Sequence, residues 1–202
     1  KPSLSLQRRY HLTPNKTLLY IGSFSPWHAC GYLLQAISRL ARKDKHIRLL
    51  MVGHGQKYDA CIRLAERLKI LSYVHFIGAV PLERIPDYIN VSDICLALFD
   101  RHYPPFKTLG YYYSPLKVHE YKACGKAVVA SDYPLLRELV HSGVHGYTVD
   151  ETNVSALVTT LSKLLHHPSL LKQIGLNNRK HILSSYTWDY YNRLILNKLF
   201  KP

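Results

Sequence analysis

The sequence is poor in methionine and in acidic residues. Met51 is the only methionine, and 13 Asp and Glu stand against 27 Lys and Arg, a formal net charge of +14. No run of eighteen apolar residues occurs and no signal peptide opens the chain, so no membrane span and no secretory leader are expected. The four cysteines, Cys30, Cys61, Cys95 and Cys124, stand about thirty residues apart with no CxxC pair, which points to buried free thiols in a reducing, cytoplasmic setting. HExxH, GxxxxGK[ST] and GxSxG are all missing, so no metal site is expected and nucleophilic catalysis has no candidate. The chain begins at Lys1 rather than methionine, which suggests a piece of something longer or a processed chain.

What is present is a 202-residue chain, 47% apolar, enough for one domain with a proper core. The charge points to an anionic partner: nucleic acid, lipid headgroups or a phosphorylated small molecule. Residues 1–16, polar and basic with two prolines, read as a lead-in linker. From residue 17 a rhythm sets in. Short apolar runs at 17–22, 47–53, 74–78, 93–99, 126–131 and 146–149 alternate with amphipathic segments at 28–43, 58–71, 81–89, 115–125 and 134–143, and further helices follow to the end. Strands apolar on both faces, alternating with helices, predict a Rossmann-like, doubly wound parallel sheet in an α/β domain over residues 17–185, with a closing helix in 186–202. In such sheets ligands sit beyond the carboxyl ends of the strands, where Gly22, Gly53, Gly55 and Gly78 fall. About fourteen residues, "DRHYPPFKTLGYYY", separate the fourth strand from Ser114. Loops this long are commonly functional or mobile.

The stretch "SPLKVHE" carries the most chemistry. With Ser114 as N-cap and Pro115 as the first helical residue, Lys117 falls in the first turn, where the helix dipole disfavours a cation unless an anion joins it. Phosphate would meet the N–H groups near Ser114 and Leu116 and the ammonium of Lys117. Glu120, three residues on, would accept hydrogen bonds from ribose hydroxyls. The alternative is a surface Lys117–Glu120 ion pair of little consequence. "GHGQ" at 53–56 lacks the third glycine of a dinucleotide fingerprint, yet it lets backbone approach a ligand. His28, near the start of the next helix, either contacts a phosphate or sugar or is a satisfied histidine.

Set side by side, "LLYIGSFSPWHACGYLLQA", "LLMVGHGQ", "VHFIGAVPLERIPDYINVSDICLALF", "SPLKVHEYKACGKAVVASDYPLLRELVHSGVHGYTV" and "YTWDYYNRLI" resemble the carboxyl-terminal domain of a GT-B glycosyltransferase of the retaining family 4 type, over nearly all of residues 17–198. The resemblance implies one half of a GT-B architecture and a donor-binding domain. Such a domain binds a UDP-, GDP- or ADP-sugar, with no cofactor and no metal, against an amino-terminal Rossmann domain to which the closing helix packs. It implies transfer of a hexose to a saccharide or lipid-linked acceptor with retention, as in polysaccharide biosynthesis, and no transfer by these residues alone.

By the same resemblance Glu120 matches the second glutamate of the E-x7-E motif and Lys117 the phosphate-binding lysine; these two are the expected catalytic residues. The segment from Gly78 to Val80 matches the strip facing the nucleobase. Ser23 and Phe24 stand where many members carry an arginine for the diphosphate, and His28 stands near a second basic position. Ser114, Leu116 and Gly53 complete the expected donor site. The first glutamate of the motif falls at Tyr112, a departure that puts the sugar specificity, or activity itself, in question. The excess positive charge either holds the protein near the inner face of an anionic membrane or is a solvated surface that serves solubility. Two competing readings are a degenerate, non-catalytic transferase domain and a basic nucleic-acid-binding module; scattered cations argue against the latter, and no nucleic-acid partner is expected.

Overall fold

The computed structural model describes residues 2–199. Six parallel strands form one sheet: β1 (Thr17–Ile21), β2 (Arg48–Val52), β3 (Val74–Gly78), β4 (Ile94–Ala97), β5 (Ala127–Ser131) and β6 (Gly146–Val149), in the order β3-β2-β1-β4-β5-β6. Every residue of β1, β4 and β5 is buried, as the continuous apolar runs require of strands covered on both faces. Side chains alternate between two cores. Leu18, Tyr20, Leu49 and Met51 face α2 (Cys30–Lys43), α3 (Tyr58–Arg67) and α8 (Val154–Leu165). Leu19, Ile21, Leu50, Val52 and Cys95 face α4 (Ile85–Val91), α6 (Leu116–Ala123) and α7 (Pro134–Leu139). A single 3₁₀ turn, Leu82–Arg84, leads into α4. All four cysteines are free thiols, Cys124 half-buried and the others buried.

The expected strands and helices are found where the periodicity put them, with two differences. The lead-in stretch contains a helix, α1 (Leu4–Arg9), because Ser3 Oγ caps the Leu6 N–H and Leu6 is buried in the core that contains Tyr88 and Ile89 of α4. Two leucines in six residues, only Leu6 of them buried, are too faint a period to read. The long segment before Ser114 is likewise not a bare loop: α5 (Pro104–Leu109) starts on its two prolines and buries Phe106.

The sheet reverses its winding between β1 and β4. Register there ends at Tyr20 opposite Leu96, so the Ile21 N–H lacks a strand partner. The Tyr121 hydroxyl of α6 fills the gap, accepting from Ile21 N at 3.1 Å and donating to Leu96 O at 3.4 Å. This bond seats α6 over the crevice at the carboxyl ends of the strands, the position that favours ligand binding in such sheets.

α9 (Pro168–Ser185) runs back along α6. Its Gly175 lies against Gly125 so closely that a Cβ would strike the Gly125 carbonyl. Buried Asn178 donates to Lys126 O and His145 O at 2.7 and 2.8 Å. α10 (Trp188–Leu199) closes the described chain with no buried residue. No helix among the described residues is long and apolar enough to cross a membrane.

Candidate donor site at the carboxyl ends of the strands

The floor of the site is backbone. The Gly53 N–H donates to Gly78 O at 2.8 Å and the Gly22 N–H to Val52 O at 3.0 Å, which ties the ends of three strands together. Gly53 has φ 124° and lies against the carbonyl of Gly22, leaving no room for a Cβ. The next turn is stitched the same way, Phe24 N donating to His54 O and Lys57 N to Phe24 O.

Over this floor stands Lys117. Its ammonium lies where a Cβ on Gly22 would come within 2.7 Å, and its Nζ is 3.2 Å from His28 Nε2. The rings of Tyr20 and Phe99 lie 4.9 and 5.2 Å from the charge and cradle it by cation–π attraction. An ammonium has only protons to give, so His28 accepts at Nε2 and is the neutral tautomer with its proton on Nδ1. That Nδ1 is buried without a partner. Burial, and then the adjacent Lys117, push the His28 pKa down to about 3. Burial lowers Lys117 to about 8, and Cys30 and then Glu120 offset only part of the shift. No carboxylate among the described residues forms an ion pair with Lys117. The site therefore holds a desolvated cation whose nearest polar partner is a neutral ring.

α6 begins one residue later than expected. Pro115 is the N-cap, and Ser114 makes no side-chain capping bond because its carbonyl takes the Leu116 N–H at 3.0 Å. The Leu116 N–H is thus not turned outward as anticipated. The Lys117 N–H has no hydrogen-bond partner among the described residues and is the free donor of the first turn. The Leu116 side chain points instead towards α10, where it lines an apolar cavity with His119, Tyr186 and Trp188.

Glu120 is not paired with Lys117, so the surface ion pair is not formed among the described residues. Glu120 opens sideways onto a cavity of about 330 Å³ walled by Leu82, Ile85, Pro86, Ile89, Ala123 and Cys124. Gly78 and half-buried Val80 lie on the chain that leads into this wall. The structure thus joins Lys117, His28, Gly22 and Gly53 at one end, with Glu120 and the Gly78–Val80 strip to one side. Ser23 is exposed; its carbonyl accepts from Tyr20 Oη at 2.6 Å and its hydroxyl from Ser25. Neighbouring Phe24 is fully buried and presents no side chain to a ligand.

Sequence reasoning did not anticipate the aromatic wall. Tyr20 and Phe99 frame the lysine, and Trp27 stacks on Tyr113 (5.5 Å, 15°), which stacks on half-exposed Tyr112 (4.7 Å, 29°). The available signals were Tyr20 in an apolar strand and the aromatic-rich stretch that ends in Tyr111, Tyr112 and Tyr113, but nothing local brings the two together. No group of three His, Cys, Asp or Glu side chains among the described residues is placed to hold a metal ion.

Comparison with known proteins identifies the fold and the family. In sequence the chain is 26% identical over 190 residues to the GDP-mannose-dependent alpha-(1-6)-phosphatidylinositol monomannoside mannosyltransferase of Mycolicibacterium smegmatis, covering 91% of this chain and 47% of that protein. It is 30% identical to an uncharacterized glycosyltransferase of Haemophilus influenzae, covering 82% of this chain and 44% of that protein. The chain therefore spans about half the length of these relatives. In fold it superposes on Anabaena HepE in complex with UDP-glucose with a TM-score of 0.78 at 19% identity, over 96% of this chain and 51% of the other. WaaG, a glycosyltransferase involved in lipopolysaccharide biosynthesis, gives 0.73 at 15% identity, over 97% and 50%. These are GT-B enzymes, and the six-stranded sheet here is one half of that architecture. The family described as "Glycosyl transferases group 1" matches residues 7–181, the whole sheet together with α6 and its lysine, and the chain belongs to that family.

Proposed function

We propose that this chain binds the nucleotide-diphosphate sugar donor of a retaining hexosyltransferase. The observation that carries the reading is the Lys117 ammonium, desolvated and ion-paired with no carboxylate among the described residues, standing over a floor of strand-end backbone. A diphosphate there would take the ammonium and the Lys117 N–H, with Glu120 accepting from the ribose hydroxyls and the base lying along Gly78 to Val80. As the glycosidic bond to the diphosphate breaks, negative charge grows on the leaving oxygens. A preorganised cation and N–H group stabilise that charge more than they stabilise the bound donor. HepE in complex with UDP and with UDP-glucose, and GDP-mannose-dependent relatives, support a donor of this class.

The acceptor, a saccharide or a lipid-linked saccharide, is assigned to an amino-terminal Rossmann domain of the parent protein, so these residues alone bind donor and transfer nothing. We place the protein in the cytoplasm, where free thiols persist, with its basic surface against anionic lipid. A second reading, a non-catalytic domain that keeps the fold, has one observation in its favour: half-exposed Tyr112 offers no carboxylate to a sugar.

Calorimetric titration with UDP-, GDP- and ADP-sugars and their free diphosphates tests the proposal, with Lys117→Ala and Glu120→Ala alongside. Binding of one nucleotide, weakened by both substitutions, is the expected result. Folded protein that binds none of them, or binds through neither residue, removes the proposal.

A further inference from the structure

α6 carries a second lysine that the candidate site does not use. Lys122 is fully buried. Its ammonium donates to Leu139 O, at the end of α7, at 2.6 Å and to His181 Nδ1, on α9, at 2.7 Å. Because the ammonium can only donate, His181 must be neutral with its proton on Nε2. The His181 ring lies flat on that of His145 (4.5 Å, 2°), itself buried and with Nδ1 unpartnered. His141 follows at 5.1 Å from His145. On the other side Tyr186, at the junction of α9 and α10, lies 5.1 Å from His181 and 4.9 Å from His119 of α6.

The remaining titratable neighbours of Tyr186 are Tyr190 and Tyr191 of α10 and Glu138, on the exposed side of α7. No carboxylate among the described residues is ion-paired with Lys122 or with these histidines. The close crossing of Gly175 on Gly125 and the bridging amide of Asn178 hold α9 against α6, so the lysine stays inside.

We propose that Lys122, His145 and His181 form an acid-sensitive latch at the root of the C-terminal helix. A proton taken up by His181 removes the acceptor that holds Lys122 and sets two cations side by side where no carboxylate among the described residues pairs with either. The only bond made is N–H on the ring, the proton coming from solvent. The α9–α10 junction then loosens, because His181 and Tyr186 are the packing that ties it to α6.

The direction is fixed by burial and like charge. Burial and then Lys122 lower His181 from the ordinary histidine value, and the same two causes bring His145 to about 4, whereas Lys122 is lowered by burial to about 8. Folded values below the unfolded value of about 6.5 mean that the two histidines contribute stability in full above that pH, and that it is lost as pH falls below it.

Urea unfolding of wild type, Lys122→Met and His181→Gln at pH 7.5 and 5.5 tests the latch; glutamine keeps an acceptor for the lysine but takes no proton. Between the two pH values the wild-type folding constant is expected to fall about tenfold more than that of His181→Gln, the effect of one proton over one pH unit, and by a smaller margin more than that of Lys122→Met, in which burial still lowers His181. Histidines that neither Lys122 nor His181 influences, such as His28, are common to all three proteins and cancel. Hydrogen exchange, corrected for intrinsic rates, is expected to rise at pH 5.5 from Ile182 to Tyr191 in wild type and not in His181→Gln. If Lys122→Met does not fold, His181→Gln alone carries the comparison. Equal pH losses in wild type and His181→Gln, or a His181 ring that titrates at about 6.5 by NMR, would overturn the proposal.

Discussion

Lys117 Nζ and His28 Nε2 face each other at 3.2 Å across the crevice between β1 and β4, a cation held by a neutral ring with no carboxylate among the described residues bonded to either. A basic protein that buries a lysine in this way has arranged a place where negative charge is worth more than it would be in water.

The charge state of that lysine sets a pH dependence. With Lys117 near 8 in the free protein, affinity for a nucleoside diphosphate is expected to be level below that pH and to fall about tenfold per unit above it. Lys117→Arg should move the fall-off out of the measured range, because guanidinium does not titrate there. Titration calorimetry from pH 6.5 to 9.5 checks both, and a flat wild-type profile contradicts the assignment.

Glu120 should discriminate by ligand rather than by charge. Glu120→Gln is expected to weaken a nucleoside diphosphate by about ten- to a hundredfold, the range for a charge-assisted hydrogen bond of about 1.5–3 kcal/mol. Inorganic pyrophosphate, which has no ribose, should bind the variant as it binds wild type. An equal loss for both ligands would show that Glu120 acts through Lys117 instead.

Tyr121→Phe removes the hydroxyl that serves the Ile21 N–H at the sheet's switch point. The orphaned buried donor should cost about 1–3 kcal/mol, read as a lower urea midpoint with an unchanged m-value. Since the same bond seats α6, donor affinity should fall too.

Gly53→Ala tests the floor. The substitution forces a side chain into a positive-φ site and against the Gly22 carbonyl, strain of about 1–3 kcal/mol before the clash is relieved. Thermal unfolding should shift down by several degrees, and diphosphate binding should weaken even at temperatures where the protein is fully folded.

His28 gives a prediction of opposite sense in pH. Its folded value of about 3 lies below the unfolded 6.5, so its stabilising contribution is whole above pH 6.5 and is lost as the pH drops. His28→Gln, which retains an acceptor for Lys117, should flatten the acid limb of the stability curve between pH 6 and 4.

The sheet was legible because its strands are apolar on both faces and so short that periodicity leaves no other assignment; 17–22 and 126–131 needed no tertiary information. Lys117 and Glu120 were legible because their place on one helix is a local property. His28 meets Lys117 across 89 positions of sequence, and Tyr121 meets Ile21 across 100, and no local pattern encodes such pairings. The expected role of Ser114 failed for a related reason. Proline after serine suggests a capped helix start, but the Leu116 N–H turns back onto the Ser114 carbonyl and moves the start by one residue. Lys122, four residues before Lys126, gives no local sign of its role. On sequence alone a lysine late in a short helix is a solvated charge, and only the crossing of α9 makes it otherwise.

α10 has a further implication. It is twelve residues long, no residue of it is buried, and Trp188 at its head is 84% exposed. A segment of that length is only marginally helical in water without a covering surface. Its coiled turns are therefore on loan from whatever lies against Tyr191, Ile195 and Leu199. The helix content of this one segment becomes a gauge, readable by circular dichroism, of how much of its apolar side is occupied at any moment.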